Sequence, residues 1–194
     1  MNTFFRSLHV PAKGSDLEER VAYAIHVMIQ SLIAMGRDHK YDHAVIALDG
    51  HSWRKTFYPR YKAQRIEARE AKTEKEQEEM AAFFDAYIDL IEFFREKTNV
   101  TVLHNDELEA DDLIGGWIQC HPDDNHTVIS TDSDFYQLLA ENVSQYSGVL
   151  GQLHTIHGIY DKKGKLVIDK KTKLPKAVPD PKFLLFEKCM RGDV

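Results

Sequence analysis

Short apolar runs alternate with longer stretches of helical periodicity, and that alternation restricts the chain to few architectures. His43-Ala-Val-Ile-Ala-Leu48, Val100–Leu103 and Thr127-Val-Ile-Ser130 read as buried strands. Ser15-x-x-Glu18 has the form of a capping box and opens a helix through Val21, Ile25, Met28, Ile29, Leu32 and Ile33 up to Gly36. Thr73-x-x-Glu76 opens a second helix through Phe83, Phe84, Tyr87, Ile88, Ile91, Phe93 and Phe94, and a third begins near Glu109 and runs through Leu113, Ile114, Trp117 and Ile118. Strands and helices in this order predict an α/β fold with a mostly parallel central sheet and helices on both faces. With 194 residues and 43% hydrophobic content, the expectation is a single domain over residues 1–194.

Beyond Ser147 the pattern changes. Ile156 to Ile168, with Asp161-Lys162-Lys163-Gly164 as a turn, predicts a β-hairpin excursion, and a Lys- and Pro-rich connection leads to a last helix from about Asp180. Cys120 and Cys189 are the only cysteines and lack Cys-x-x-Cys spacing, so neither a disulfide framework nor a zinc site is expected and a cytoplasmic setting fits. No apolar run approaches the roughly 20 residues that span a bilayer, and no membrane partner is expected.

The strand ends carry acids. Asp49 follows the first strand, Glu109-Ala-Asp111-Asp112 opens the third helix, and Asp132-Ser-Asp134 follows the strand ending at Ser130. Any one of them could be an ordinary helix cap. Gathered on one rim, they would repel, since two charges about 4 Å apart cost roughly 4 kcal/mol at an effective dielectric near 20, and cations would be needed to offset this. Oxygen-only donors point to Mg²⁺, with Mn²⁺ as a substitute, and a pair of such ions is the usual machinery of phosphodiester cleavage. No phosphate-binding glycine loop, dinucleotide fingerprint or Gly-x-Ser-x-Gly elbow is present.

The formal charge of −6 conceals two basic stretches. Trp53 to Lys72 holds seven Lys/Arg against two Glu, and Lys162 to Lys176 holds seven Lys against one Asp. In the first, Arg54, Lys55, Arg60, Lys62 and Arg65 can neutralise phosphates while Tyr58 and Tyr61 stack on bases; in a plainer reading it is a charged loop with its aromatics packed on the sheet. The second stretch fits a polyanion contact or a solvated surface face equally well. His154 and His157, three apart in an extended region, do not present both rings to one ion.

Leu48-Asp49-Gly50, Tyr58-Pro-Arg-Tyr-Lys62-x-x-Arg65, Glu109-Ala-Asp-Asp112, Ser130-Thr-Asp-Ser-Asp134 and Met190-Arg-Gly-Asp193 together resemble, in order and spacing, the 5′-3′ exonuclease and flap endonuclease family, bacteriophage type, with similarity to the 5′-nuclease domain of bacterial DNA polymerase I. The resemblance implies a PIN-like nuclease fold with a helical arch around residues 53 to 80. It implies that Asp49, Glu109, Asp111 and Asp132 hold one metal ion and Asp112, Asp134 and Asp193 a second. Lys62 and Arg65 would act on the scissile phosphate, and Arg6 would lie near the substrate. Partners implied are DNA with 5′ single-stranded ends, flaps or nicks, an RNA-DNA hybrid, and replication proteins, in a host cytoplasm if the chain is phage-encoded.

The family's first strand with its metal-binding Asp, and its C-terminal helix-hairpin-helix, have no counterpart in these 194 residues. Two alternatives therefore stand beside a 5′ nuclease. One is a catalytically incomplete DNA-binding subunit or gene fragment that needs a complementing chain; the other is a PIN-like ribonuclease.

Overall fold

Asp16 caps the first helix, α1 (Leu17–His39), by accepting a hydrogen bond from the Glu19 backbone N–H at 2.9 Å. The cap thus falls one residue after the Ser15 expected from the sequence; Ser15 lies outside the residues described by this computed structural model, which are 16–64 and 71–191. The helix also runs past Gly36, the expected stop, because one interior glycine costs only about 1 kcal/mol. It ends instead at Lys40, which adopts the left-handed conformation of a helix C-cap (φ 53°).

The chain divides into two compact units, Met1–Leu113 and Ile114–Val194. In the first, strand β1 (Val45–Ala47) leads to a one-turn helix α2 (Arg54–Phe57), a long helix α3 (Glu74–Lys97) and strand β2 (Thr101–Leu103). The capping box of α3 forms as the sequence predicts, with Thr73 and Glu76 satisfying each other's backbone N–H. β1 and β2 pair in parallel, Val45 opposite Thr101. Ala24 and Met28 of α1 pack against Phe83, Leu90, Ile91 and Phe94 of α3, and Ile46, Leu48, Val100 and Val102 close the core from the strands.

Helix α4 (Ala110–Cys120) follows, and the second unit continues through β3 (His126–Ile129), a 3-10 helix (Ser133–Leu138), β4 (Val143–Ser147), β5 (Gln152–Thr155), β6 (Gly158–Asp161) and α5 (Pro181–Arg191). β3 pairs with β4 in parallel, while β5 and β6 add antiparallel strands in the order β3-β4-β5-β6. The mixed α/β class is as expected, with parallel pairing in β1–β2 and β3–β4. The hairpin begins earlier than the sequence suggested. Its tight turn is at Ile156-His157, where Gly158 takes a φ of 140° that L side chains rarely adopt. Asp161 to Gly164 forms the next turn, after which the chain returns beside β6 through a bridge between Tyr160 and Leu166. Asp180 caps α5 by accepting from Phe183 N–H at 2.8 Å, and Pro181 sits at the first helical position, where its missing N–H costs nothing. No helix among the described residues is long and apolar enough to cross a membrane.

Candidate active site

The loops that follow β1 and β2 are stitched together by backbone hydrogen bonds. Gly50 N–H donates to the Leu108 carbonyl (2.8 Å), His51 to Asp106 (2.6 Å) and Trp53 to Glu107 (2.8 Å). Gly50 must be glycine for this approach, because a Cβ would collide with the Asn105 carbonyl. The stitching sets Asp49 against the start of α4, where its carboxylate accepts from the Ala110 N–H at 2.9 Å. A carboxylate at a helix amino end is favoured by the partial positive charge of the free N–H groups.

Three side chains from the basic stretch reach the same turn. Arg54 makes a two-pronged contact with Asp112, 2.8 Å to each carboxylate oxygen, and a longer one of 3.5 Å to Glu109. Lys62 donates to Glu109 Oε1 at 2.7 Å, and the Tyr61 hydroxyl donates to Glu109 Oε2 at 3.1 Å. The fork of Arg54 matches carboxylate geometry, and it holds Asp112 below and the guanidinium above their ordinary protonation ranges, mainly through that hydrogen bond. For Lys62, burial pulls downward, but bonding to Glu109 and Tyr61 outweighs it and the ammonium is stabilised. Lys62 achieves this reach with a φ of 55°, uncommon for a residue other than glycine.

The second unit orders its own acids. Asp132 N–H donates to Ser130 Oγ (3.0 Å), and Asp132 Oδ1 in turn accepts from Asp134 N–H (3.0 Å). Gln145, only 1% exposed on β4, donates its amide to the carbonyls of Ser130 (3.0 Å) and Asp132 (2.8 Å) and so fixes the turn from beneath. The Lys188 ammonium of α5 contacts Asp134. Nearby on the same sheet, buried His154 accepts or donates through Nδ1 with the Tyr136 hydroxyl at 2.7 Å, and burial lowers its pKa.

Of the residues expected from sequence, Asp49, Glu109 and Asp112 are gathered with Arg54, Tyr61 and Lys62 in the first unit, and Asp132 and Asp134 share one turn in the second. Asp111, Lys55, Tyr58 and Arg60 are exposed. Arg6, Arg65 and Asp193 lie outside the described residues. Among the described residues, no three His, Cys, Asp or Glu side chains converge as a ready-made ligand set. The chemistry of the donors nonetheless fits a hard divalent cation. They are all carboxylates, and two of them already draw positive charge, a guanidinium on Asp112 and an ammonium on Glu109.

Sequence reasoning assigned Arg54 to phosphate binding and missed its hold on Asp112; nothing in a contiguous motif links positions 54 and 112. It also missed Gln145 and Lys188. Gln145 did leave a trace, a polar residue between Val143 and Ser147 on the inward-facing register of a strand.

The family model described as 5′-3′ exonuclease, N-terminal resolvase-like domain, matches residues 1–171. Among solved structures, a flap endonuclease variant of bacteriophage T5 in a pseudo-enzyme-product complex with DNA and metal ions matches at 25% identity and a TM-score of 0.60, over 80% of this chain and 55% of that one. A bacteriophage T5 protein co-crystallised with metal ions matches at 21% identity and a TM-score of 0.66 with the same coverages, 80% and 55%. The 5′-exonuclease of bacteriophage T5 with bound zinc matches at 24% identity and 0.62, again over 80% and 55%. The chain thus spans about half the length of these structures, and no curated protein matches it.

Proposed function

We propose that this chain, which belongs to the 5′-3′ exonuclease family, hydrolyses phosphodiesters near the 5′ ends of DNA in a divalent-metal-dependent reaction, as an exonuclease or flap endonuclease of replication or repair. The observation that carries this reading is the contact of Lys62, Tyr61 and Arg54 with the acids at the start of α4. A basic arm held directly against a carboxylate cluster is what a phosphate substrate and its counter-ions require on opposite sides.

Asp49, Glu109, Asp111 and Asp112 in the first unit, and Asp132 and Asp134 in the second, would supply the carboxylates for divalent ions, with Mg²⁺ the physiological choice and Mn²⁺ a substitute. Bound there, the ions would activate water and offset charge on the phosphate. The chain's own residues perform the remaining tasks. Lys62, with Arg65 beyond it, turns its ammonium to the non-bridging oxygens of the scissile phosphate when Glu109 is otherwise neutralised. Arg54 keeps Asp112 deprotonated and fixes its rotamer. Gln145 holds the Asp132 turn so that its carboxylate faces outward. Exposed Tyr58 and the exposed rings of Trp53 and Phe57, packed edge to face at 5.9 Å, offer stacking surfaces for unpaired bases of a 5′ single strand.

The test is incubation with 5′-flap and nicked duplex DNA in Mg²⁺ or Mn²⁺. Cleavage near the 5′ end is expected, and Asp132→Asn should abolish it while sparing DNA binding. No cleavage with either metal overturns the reading. One observation favours a second reading, a DNA-binding subunit without hydrolysis of its own: both oxygens of Asp112 are taken by Arg54. Binding of branched DNA without cleavage, restored to cleavage by a complementing chain, would support that alternative.

A further inference from the structure

The lysine-rich return of the chain after β6 is more ordered than its composition suggests. Its two carboxylates are both used to build turns. Asp161 Oδ1 accepts from Lys163 N–H (2.8 Å) and Lys165 N–H (3.0 Å), and Asp169 Oδ1 accepts from Lys171 N–H (2.8 Å) and Thr172 N–H (2.9 Å). Gly164 (φ 72°) and Lys173 (φ 60°) supply the left-handed residues these turns need. Between the turns the chain is extended and paired on both sides, with Val167 N–H on the Ile159 carbonyl and Lys176 N–H on the Val167 carbonyl, 2.8 Å each.

With Oδ1 of each acid bonded to backbone, the lysines act on these carboxylates only through space, Lys163 and Lys165 on Asp161 and Lys176 on Asp169, and no ammonium of the stretch forms a direct ion pair among the described residues. Ion pairs of lysine among the described residues involve Lys62, Lys97 and Lys188, and none of the seven lysines between 162 and 176, all of which are exposed. The stem of Lys162 lies against Gly151, which has no side chain to displace it. The stretch from Lys165 to Asp169 is joined to its neighbours by isolated bridges at Leu166 and Ile168, and four residues of extended chain at roughly 3.3 Å each set the two turns about 13 Å apart. That spacing is close to the width of the DNA major groove, about 12 Å, across which phosphates of the two strands face each other. The stretch Lys162–Lys176 contains no aromatic residue, so it offers nothing on which an unpaired base could stack.

We propose that the paired lysine turns at Asp161–Lys165 and Asp169–Leu174 form a second nucleic-acid surface, which grips the phosphate backbone of duplex DNA and reads no sequence. This rests on the nuclease reading for its substrate, but extends it to a surface built from other residues than the acidic site. Each lysine that neutralises a phosphate releases a condensed counter-ion, so its contribution appears in the salt dependence of binding.

The experiment compares the unaltered chain with a variant carrying Lys162, Lys163, Lys170 and Lys171→Ala. Binding of a blunt DNA duplex and of a single strand of equal length is measured by fluorescence anisotropy between 50 and 200 mM KCl, without divalent metal. For duplex, the slope of log K against log salt should become shallower by about 3 to 4, with at least about tenfold weaker binding at 50 mM, while single-strand binding changes by less than about threefold. An unchanged duplex slope overturns the proposal, even if the chain cleaves flaps. An equal loss for the single strand also overturns it, since a general polycation would behave that way. A shallower duplex slope in a chain that never cleaves DNA supports this surface while removing the nuclease reading. Circular dichroism of the variant guards against misfolding, and a second variant, Lys162, Lys163, Lys170 and Lys171→Arg, keeps the charge and should restore the slope.

Discussion

The two basic stretches carry equal numbers of cationic residues, seven each, and opposite physics. In the first, Arg54 and Lys62 reach carboxylates 58 and 47 positions away, and both partners are part-buried. In the second, acids sit beside the lysines in sequence, yet those acids bind backbone N–H groups directly and feel the exposed lysines only through space. Sequence proximity of opposite charges therefore predicts little about pairing. Turn geometry, which is local and cheap in entropy, claims one carboxylate oxygen before a long side chain is ordered against it.

The sharpest way to break this contrast is turnover. If the first arm serves chemistry, Lys62→Met should lower single-turnover cleavage of a 5′-flap substrate by about 100-fold or more, the usual scale for removing one group that stabilises transition-state charge. The fourfold lysine-to-alanine variant of the second arm should leave the saturated rate within about threefold and act on affinity alone. Equal loss of saturated rate in both would erase the distinction.

Next in size is stability. Removing Arg54 leaves Asp112 part-buried without its fork, so Arg54→Met should cost about 1–2 kcal/mol in urea unfolding after allowance for solvent screening of a partly exposed pair. Lys170→Ala, with no partner to strand, should stay within about 0.5 kcal/mol. A larger effect at Lys170 would mean that the second arm is bonded in solution to groups it does not touch here.

How far the sequence disclosed these differences follows from the range of the interactions. The capping box at Thr73, the parallel strands and the acids at strand ends and helix starts were legible because each depends on periodicity or on residues three or four apart. The hairpin was misplaced by several residues because His154-Thr-Ile-His157 carries no strong turn signal before Gly158, whereas Asp161-Lys-Lys-Gly164 does. The hold of Arg54 on Asp112 and of Gln145 on the Asp132 turn could not be read, since both join positions that only the folded chain makes neighbours.

A smaller effect concerns metal. Because the Lys62 ammonium occupies Glu109 Oε1, it competes with any divalent cation for that oxygen. Lys62→Met should therefore bind Mn²⁺ several-fold more tightly in a paramagnetic titration without DNA, while the lysine variant of the second arm should bind it as the unaltered chain does. Weaker Mn²⁺ binding in Lys62→Met would show that the lysine orients Glu109 for the ion and does not compete with it.

The smallest effect is the acid limb of stability. The folded pKa of Asp112 lies below its ordinary value of 3.8, chiefly because of the Arg54 hydrogen bond. A carboxyl lowered in the folded state stabilises fully above its unfolded pKa and loses that contribution as pH falls through the folded one. Unfolding free energy should therefore decline from about pH 4 downward, and Arg54→Met should flatten that decline by a few tenths of a kcal/mol, given solvent screening. Asp161 and Asp169 are also lowered, by backbone N–H groups, so their share of the decline has the same sign but survives removal of the neighbouring lysine charges. If lysine-to-alanine substitution in the second arm flattened the acid limb as much as Arg54→Met does, lysine charge and not turn geometry would be holding those carboxylates ionised, and the contrast between the arms would fail at its origin.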